Sequence, residues 1–283
     1  MKRWIDGGGI ALLFLVLLTP AAGALAGDTL DGPGLKAHMA SIDSWLDMRR
    51  GAALPVLTDG EYATLAEGKG VLSEQVDEDS KLIRATFFRL VEVDAWRLWV
   101  GLADCNQHDQ FMPHVQESVV LEEGRNGKLT YQYLSLPMVK ARQWVVRGWD
   151  NGPLWQNSGG KVWESAWVLE PDSDGVANRF REAGAIPGVT EEEMTEGIYT
   201  TVNEGYWLLV ELPDDRVLVA YQAFSDIGGK VPAWLINEMG PPGLARMVQK
   251  MDERGRVIER YYASGEFPPP APDGSALPQL ASP

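Results

Sequence analysis

The sequence predicts an α+β protein organised around one antiparallel sheet. Strand-like segments follow one another through most of the chain with few helices between them, the pattern of a meander rather than of alternating β and α units. Two long apolar runs, 199–212 and 216–224, flank the turn Pro213-Asp214-Asp215 and read as a hairpin. One extended helical pattern, from Val231 to Met251, closes the part of the chain that can build a core.

At the N-terminus, Lys2 and Arg3 precede the apolar run Ile10–Leu18, and Ala24–Ala26 supply small residues for cleavage. That is the layout of a secretory signal peptide over residues 1–26. The run is nine residues long, too short for a bilayer span, which needs about 20. The mature chain is expected to start near Gly27 and to be secreted or periplasmic. Without Lys2, Arg3 and Asp6 it carries 39 acidic and 23 basic side chains, a net charge near −16. Such a surface repels phosphate backbones, so nucleic acid is excluded as a partner. Cys105 is the single cysteine, so no intrachain disulfide forms.

The elements follow in order. Residues 27–53 hold an amphipathic helix with Leu35, Met39, Ile42, Trp45 and Leu46 on one side, and Arg49-Arg50-Gly51 as its stop. Strands are expected over 70–76 and 81–90. In 93–104 the period changes, with Trp96, Trp99, Val100 and Ala103 at helical spacing. Four strands follow, over 114–123, 128–136, 142–149 and 161–170. The acidic stretch 171–196 holds a short helix around 177–183 and a capping box from Thr190 to Glu193. Beyond the hairpin, Gly228-Gly229 allow a sharp turn, and Pro232 suits the first turn of a helix. Pro241-Pro242 kink or restart that helix. The tail, 257–283, is rich in proline and small residues and reads as extended and disordered.

Three segments together resemble the START superfamily, also called the SRPBCC or helix-grip group. They are "VDAWRLWVGLADCNQHDQFMPHVQESVVLEE" (93–123), "LSLPMVKARQWVVRGW" (134–149), and "GYWLLVELPDDRVLVAYQAFSDIGGKVPAWLINEMGPPGLARMVQKM" (205–251). The resemblance spans residues 54–256. It implies a curved antiparallel sheet wrapped around the long C-terminal helix, enclosing an apolar cavity that takes a lipid, sterol or polyketide.

Within that frame the aromatic residues of the strands become candidates for the cavity wall. On 142–149, Arg142, Trp144 and Val146 share one face and Gln143, Val145, Arg147 and Trp149 the other; on 205–212, Tyr206, Leu208 and Val210 oppose Trp207, Leu209 and Glu211. Both faces mix bulky apolar and polar groups, unlike a sheet with one wet side. The candidate ligand-binding residues are Tyr131, Trp144, Arg147, Trp207 and Tyr221 on strands, and Val231, Trp234, Leu235 and Met239 on a lid formed by the closing helix. Arg147 either points into the cavity, meeting the ligand or an internal acid such as Glu211, or reaches solvent from a strand edge. The segment Asp104–His114 brings Asp, Cys and His together, yet with no recognised metal-ligand spacing it reads as a polar turn. No nucleophile elbow, phosphate loop or dinucleotide fingerprint occurs in the mature chain, and no cofactor is expected.

These observations point to an exported, non-enzymatic carrier of a hydrophobic small molecule, monomeric and making transient membrane contact, with the C-terminal helix as its gate. The alternative is a small enzyme of the polyketide cyclase/dehydratase kind acting in the same cavity. With His38, His108 and His114 as the only histidines, it has few acid–base groups. An envelope interaction module using the acidic surface and proline-rich tail is a third reading.

Overall fold

The computed structural model describes residues 29–124, 127–226, 228–229, 240–262 and 268–277. The leader and the lid candidates Val231, Trp234, Leu235 and Met239 lie outside these residues. The elements are α1 (Gly32–Ser41), α2 (Asp43–Leu46), α3 (Asp59–Ala66), β1 (Val71–Val76), β2 (Ile83–Val91), α4 (Ala95–Ala103), a 3-10 turn (Cys105–Gln110), β3 (Val115–Gly124), β4 (Gly127–Leu134), β5 (Arg142–Asp150), α5 (Gly152–Asn157), β6 (Val162–Leu169), α6 (Ser173–Glu182), α7 (Glu191–Glu196), β7 (Ile198–Tyr199), β8 (Val202–Glu211), β9 (Val217–Asp226), α8 (Pro241–Gly255) and α9 (Glu259–Tyr262).

Among the described residues the sheet has nine strands, in the order β1-β2-β9-β8-β6-β5-β4-β3, with β7 beside β5. Every pairing is antiparallel except that of the two-residue β7. The sheet is curved, and α4 and α8 pack on its inner face, the helix-grip arrangement that the resemblance implies. Pro241 and Pro242 open α8 rather than kink it. Their missing N–H groups fall where a first helical turn has no acceptor to offer. From α8, Leu244, Val248 and Met251 join Leu98, Trp99 and Val100 of α4 and Trp163, Trp207, Leu209 and Val219 of the sheet in one core.

The outer face is covered as well. Leu35 and Met39 of α1 and Leu65 of α3 pack on Phe88, Tyr206, Leu208 and Leu218. Val176 and Ala177 of α6 and Met194 of α7 pack on Leu129, Tyr131 and Val145. The capping box at Thr190–Glu193 forms as expected, with the Glu193 backbone N–H donating to Thr190 Oγ1 at 3.2 Å. A second one, Thr58 to Glu61, starts α3, in a stretch to which the sequence analysis assigns no element.

The stop sequence Arg49-Arg50-Gly51 has a tertiary role too. Glu164, in the outer row of β6, is wholly buried. Its carboxylate accepts from Arg49 Nε (3.0 Å), the backbone N–H groups of Arg50 (2.8 Å) and Gly51 (3.2 Å), and Asn151 Nδ2 (2.7 Å). The Arg49 guanidinium also lies 4.2 Å from the centre of the Tyr206 ring. A buried carboxylate is tolerable only with this degree of pairing.

The expectation of a disordered tail is corrected over residues 268–277. Ala271 and Leu277 are buried in the inner core, the Pro270 carbonyl accepts from Trp99 Nε1 at 2.8 Å, and Asp273 accepts from Gln156 Nε2 at 3.0 Å. A proline run suits such a groove because it brings few backbone N–H groups that need partners.

Because Arg49 and Glu164 are both shielded from water, Arg49→Met should destabilise the fold by about 3 kcal/mol, read as a lower urea midpoint at unchanged slope. Adding Glu164→Gln should restore part of the loss, and a fully additive double variant would show that the pair is not coupled.

Candidate functional site

Alternation along the strands sends one set of side chains into a space between the inner face, α8 and the 102–115 segment. The cavity there has a volume of about 210 Å³. Its floor follows the ladder register. Trp207 of β8 lies opposite Tyr221 of β9, and the two rings stack at 3.9 Å between centroids and 14° between planes. Trp167 of β6 pairs with Gly205, and a Cβ on Gly205 would meet the Trp167 ring at 2.6 Å. Glycine therefore lets the indole lie flat over β8, 6.2 Å from the Tyr221 ring. Trp167 Nε1 donates to Asn203 Oδ1 at 3.0 Å. Trp144 and Val146 of β5 and Leu134 of β4 form one side, Leu102, Met112 and Val115 another, and Leu244 and Met247 of α8 the roof.

The polar groups at the β4 end bind one another. Gln132 Oε1 accepts from Trp144 Nε1 at 3.1 Å, and Gln132 Nε2 donates to Ser118 Oγ at 3.1 Å and meets His108 Nδ1 at 3.2 Å. His108 Nε2 lies 3.2 Å from both the Gly101 and Leu102 carbonyl oxygens. Two carbonyls can only accept, so the proton sits on Nε2 and Nδ1 accepts from Gln132. Burial pushes the His108 pKa down to about 4. The imidazole is therefore neutral at neutral pH, with both nitrogens engaged. Lys128 donates to the Ala103 carbonyl at 3.2 Å and pairs with Asp150 at 3.3 Å. Burial works against its charge, but Cys105 and Asp150 hold its pKa above the ordinary lysine value. Burial pushes the Cys105 thiol up, away from the thiolate that a nucleophile requires. Among the described residues no three His, Cys, Asp or Glu side chains are grouped to hold a metal ion.

Of the strand candidates, the structure brings Trp144, Trp207 and Tyr221 to the cavity. Tyr131 and Arg147 are corrected, because both belong to the outer set. Tyr131 is fully buried under α6 and α7 and donates to Gln143 Oε1 at 2.8 Å. Arg147 pairs with Glu170 through Nε at 3.2 Å and Nη2 at 3.0 Å. The cavity alternative for Arg147 is overturned, since Glu211 is on the inner face and accepts instead from Trp163 Nε1 at 3.3 Å. The side chain is partly exposed on the outer side, as the solvent alternative has it, but from an interior strand rather than an edge. Sequence reasoning missed Trp167, Asn203 and Gln132 as wall residues. Strand parity could have found two of them, because Asn203 shares a face with Trp207, and Gln132 lies two positions from Leu134.

At the exit from β9, Gly228 and Gly229 have φ of 64° and 70°, the left-handed region that favours glycine. Arg142, almost wholly buried, donates through Nη2 to the Gly228 carbonyl at 3.0 Å and through Nη1 to the Lys140 carbonyl. The start of the connection to α8 is thus a sharp turn held by a buried cation.

No family model and no curated protein matches the sequence. Among solved structures the chain is similar to human STARD10, at 14% identity over 81% of this chain and 82% of that one, with a TM-score of 0.51. It is also similar to the STAR-related lipid transfer protein from Xanthomonas axonopodis, at 20% identity over 73% and 99%, TM-score 0.49. The Zhui aromatase/cyclase from Streptomyces sp. R1128 matches at 13% identity over 62% and 87%, TM-score 0.33. The likeness to STARD10 is one of fold: the chain has a START-type helix-grip fold.

A histidine whose folded pKa is depressed to about 4 stays neutral in the native state while the unfolded chain takes up a proton near pH 6.5. Its contribution to stability is complete above about pH 6.5 and falls between about pH 6.5 and 4, by up to about 3 kcal/mol. Urea unfolding at pH 7 and pH 5 should show a larger acid loss in the native protein than in His108→Gln; equal losses would refute the buried neutral histidine.

Proposed function

We propose that this chain is an exported carrier of an apolar small molecule, of lipid- or sterol-like chemistry, held in the cavity under α8. The observation that carries the reading is the lining itself: aromatic and aliphatic side chains surround a space whose His108, Gln132 and Trp144 polar groups are already satisfied by one another. Each CH₂ moved there from water contributes about 0.8 kcal/mol, so binding needs few polar contacts. The START-type fold supports the reading, because an enclosed apolar cavity is what that resemblance implies.

The leader at residues 1–26 supplies export, and a monomer that touches a membrane briefly would exchange its ligand there. The cavity, at about 210 Å³, is larger than a space of about 150 Å³ that takes benzene. It falls short of the roughly 300–1,000 Å³ of pockets for drug-sized molecules. Enclosing a whole sterol therefore requires Leu244 and Met247 to move outward with α8.

The cyclase alternative needs a base or acid free to exchange protons with the substrate. The engagement of both His108 nitrogens and the protonated state of Cys105 favour the carrier.

Protein exported from a bacterial host should have an intact mass corresponding to a start near Gly27. Organic extraction of that protein followed by mass spectrometry should release one apolar molecule per chain. A protein that comes out empty and also takes up no fluorescent fatty acid or sterol would overturn the carrier.

A further inference from the structure

The saturated network at the β4 end leaves a different set of polar groups open on the cavity floor. Among the described residues the Tyr221 hydroxyl, Asn203 Nδ2 and the Ser165 hydroxyl have no hydrogen-bond partner, and all three residues line the cavity. They belong to adjoining strands in register: Ser165 pairs with Trp207, Trp207 with Tyr221, and Asn203 lies four residues before Trp207 on β8. The Asn203 side chain is nine-tenths buried, and its Oδ1 is occupied by Trp167 Nε1. Its Nδ2 can only donate, its Oδ1 keeps one lone pair, and the two hydroxyls can donate or accept. An acceptor oxygen is the ligand atom that all three groups can meet by donating.

The surrounding groups narrow the class further. The Tyr221, Asn203 and Ser165 donors on the floor carry no charge to pair with a carboxylate, and Lys128, which shares the lining with Arg246, is engaged by Asp150 and the Ala103 carbonyl. The Trp207–Tyr221–Trp167 array favours flat rings, which pack on aromatic side chains in offset or edge-to-face contacts. The volume, about 210 Å³, exceeds the roughly 150 Å³ that holds one benzene ring and leaves room for a second fused ring.

Resting on the carrier reading, we propose that the cavity selects a neutral, flat, one- or two-ring group bearing a carbonyl-type oxygen. That oxygen accepts from the Tyr221 hydroxyl, with Asn203 Nδ2 as a second donor on the same floor. Acyl chains ending in a carboxylate are discriminated against. The group is either a whole small ligand or the head of a larger one.

The test is calorimetric titration of the mature protein with 1-tetralone, tetralin (the same frame without the oxygen) and decanoate. One added hydrogen bond in a dry site predicts that tetralone binds about tenfold tighter than tetralin, with decanoate weakest. Tyr221→Phe keeps the stacked ring and should remove most of tetralone's advantage over tetralin while leaving tetralin unchanged. Asn203→Asp keeps the acceptor for Trp167, loses the donor, and should weaken tetralone less than Tyr221→Phe does, since Asn203 lies opposite Ser225, further along the floor. If either variant unfolds, the tetralone–tetralin ratio on the native protein still decides. Equal binding of tetralone and tetralin, decanoate binding tightest, or no effect of Tyr221→Phe in a folded protein overturns the proposal. If none of the probes binds but the extracted protein carries an acyl lipid, the ring class is wrong and the carrier stands. If no probe binds and the extract is empty, both fall.

Discussion

The sheet is buried on both faces, and most of the architecture follows from that constraint. An antiparallel sheet with one wet side needs only one apolar set per strand. Here α4 and α8 take the inner set while α1, α3, α6 and α7 take the outer. Most polar residues on either set find partners inside the protein. Glu164 is met by Arg49 and Asn151 on one side, and Gln132 by His108, Ser118 and Trp144 on the other. The N-terminal segment, which looks peripheral along the chain, is tied to the middle of the sheet because a buried carboxylate there requires it.

The cavity is what remains where the inner set does not fill the space beneath α8. Gly205 creates room for Trp167 to lie across β8, and the stacked Trp207–Tyr221 pair fills the next row. Large rings meet at the floor while the roof is built from the flexible and aliphatic Met247 and Leu244. The left-handed turn at Gly228-Gly229, held by Arg142, anchors the chain where it leaves β9.

Particular residues show how far the sequence carried. The strand and helix order was legible because period and capping are local: Thr190 and Glu193 announce α7, and the helical spacing of Trp99, Val100 and Ala103 announces α4. Parity placed Trp144 on the face opposite Arg147, and the structure keeps them opposed. Parity alone could not say which face was inside, because both carry bulky apolar groups. Arg147 therefore stays open between cavity and solvent in the sequence, and its partner Glu170 holds it on the outer side. The proline-rich tail misled for a related reason. Its composition offers little core, yet one carbonyl for Trp99 and two buried side chains, Ala271 and Leu277, are enough to seat it.

The sequence by itself determined the α+β class, the meander and its hairpin, and the absence of an intrachain disulfide. These depend on residues a few positions apart, or on a count. Only the tertiary structure decided which side chains face the cavity, which polar groups are spent on one another, and which are left without a partner. Those outcomes depend on partners more than a hundred residues apart, as Arg49 is from Glu164 and Trp99 from Pro270. No local pattern specifies such pairs, because burial of one group sets the demand that a distant one meets.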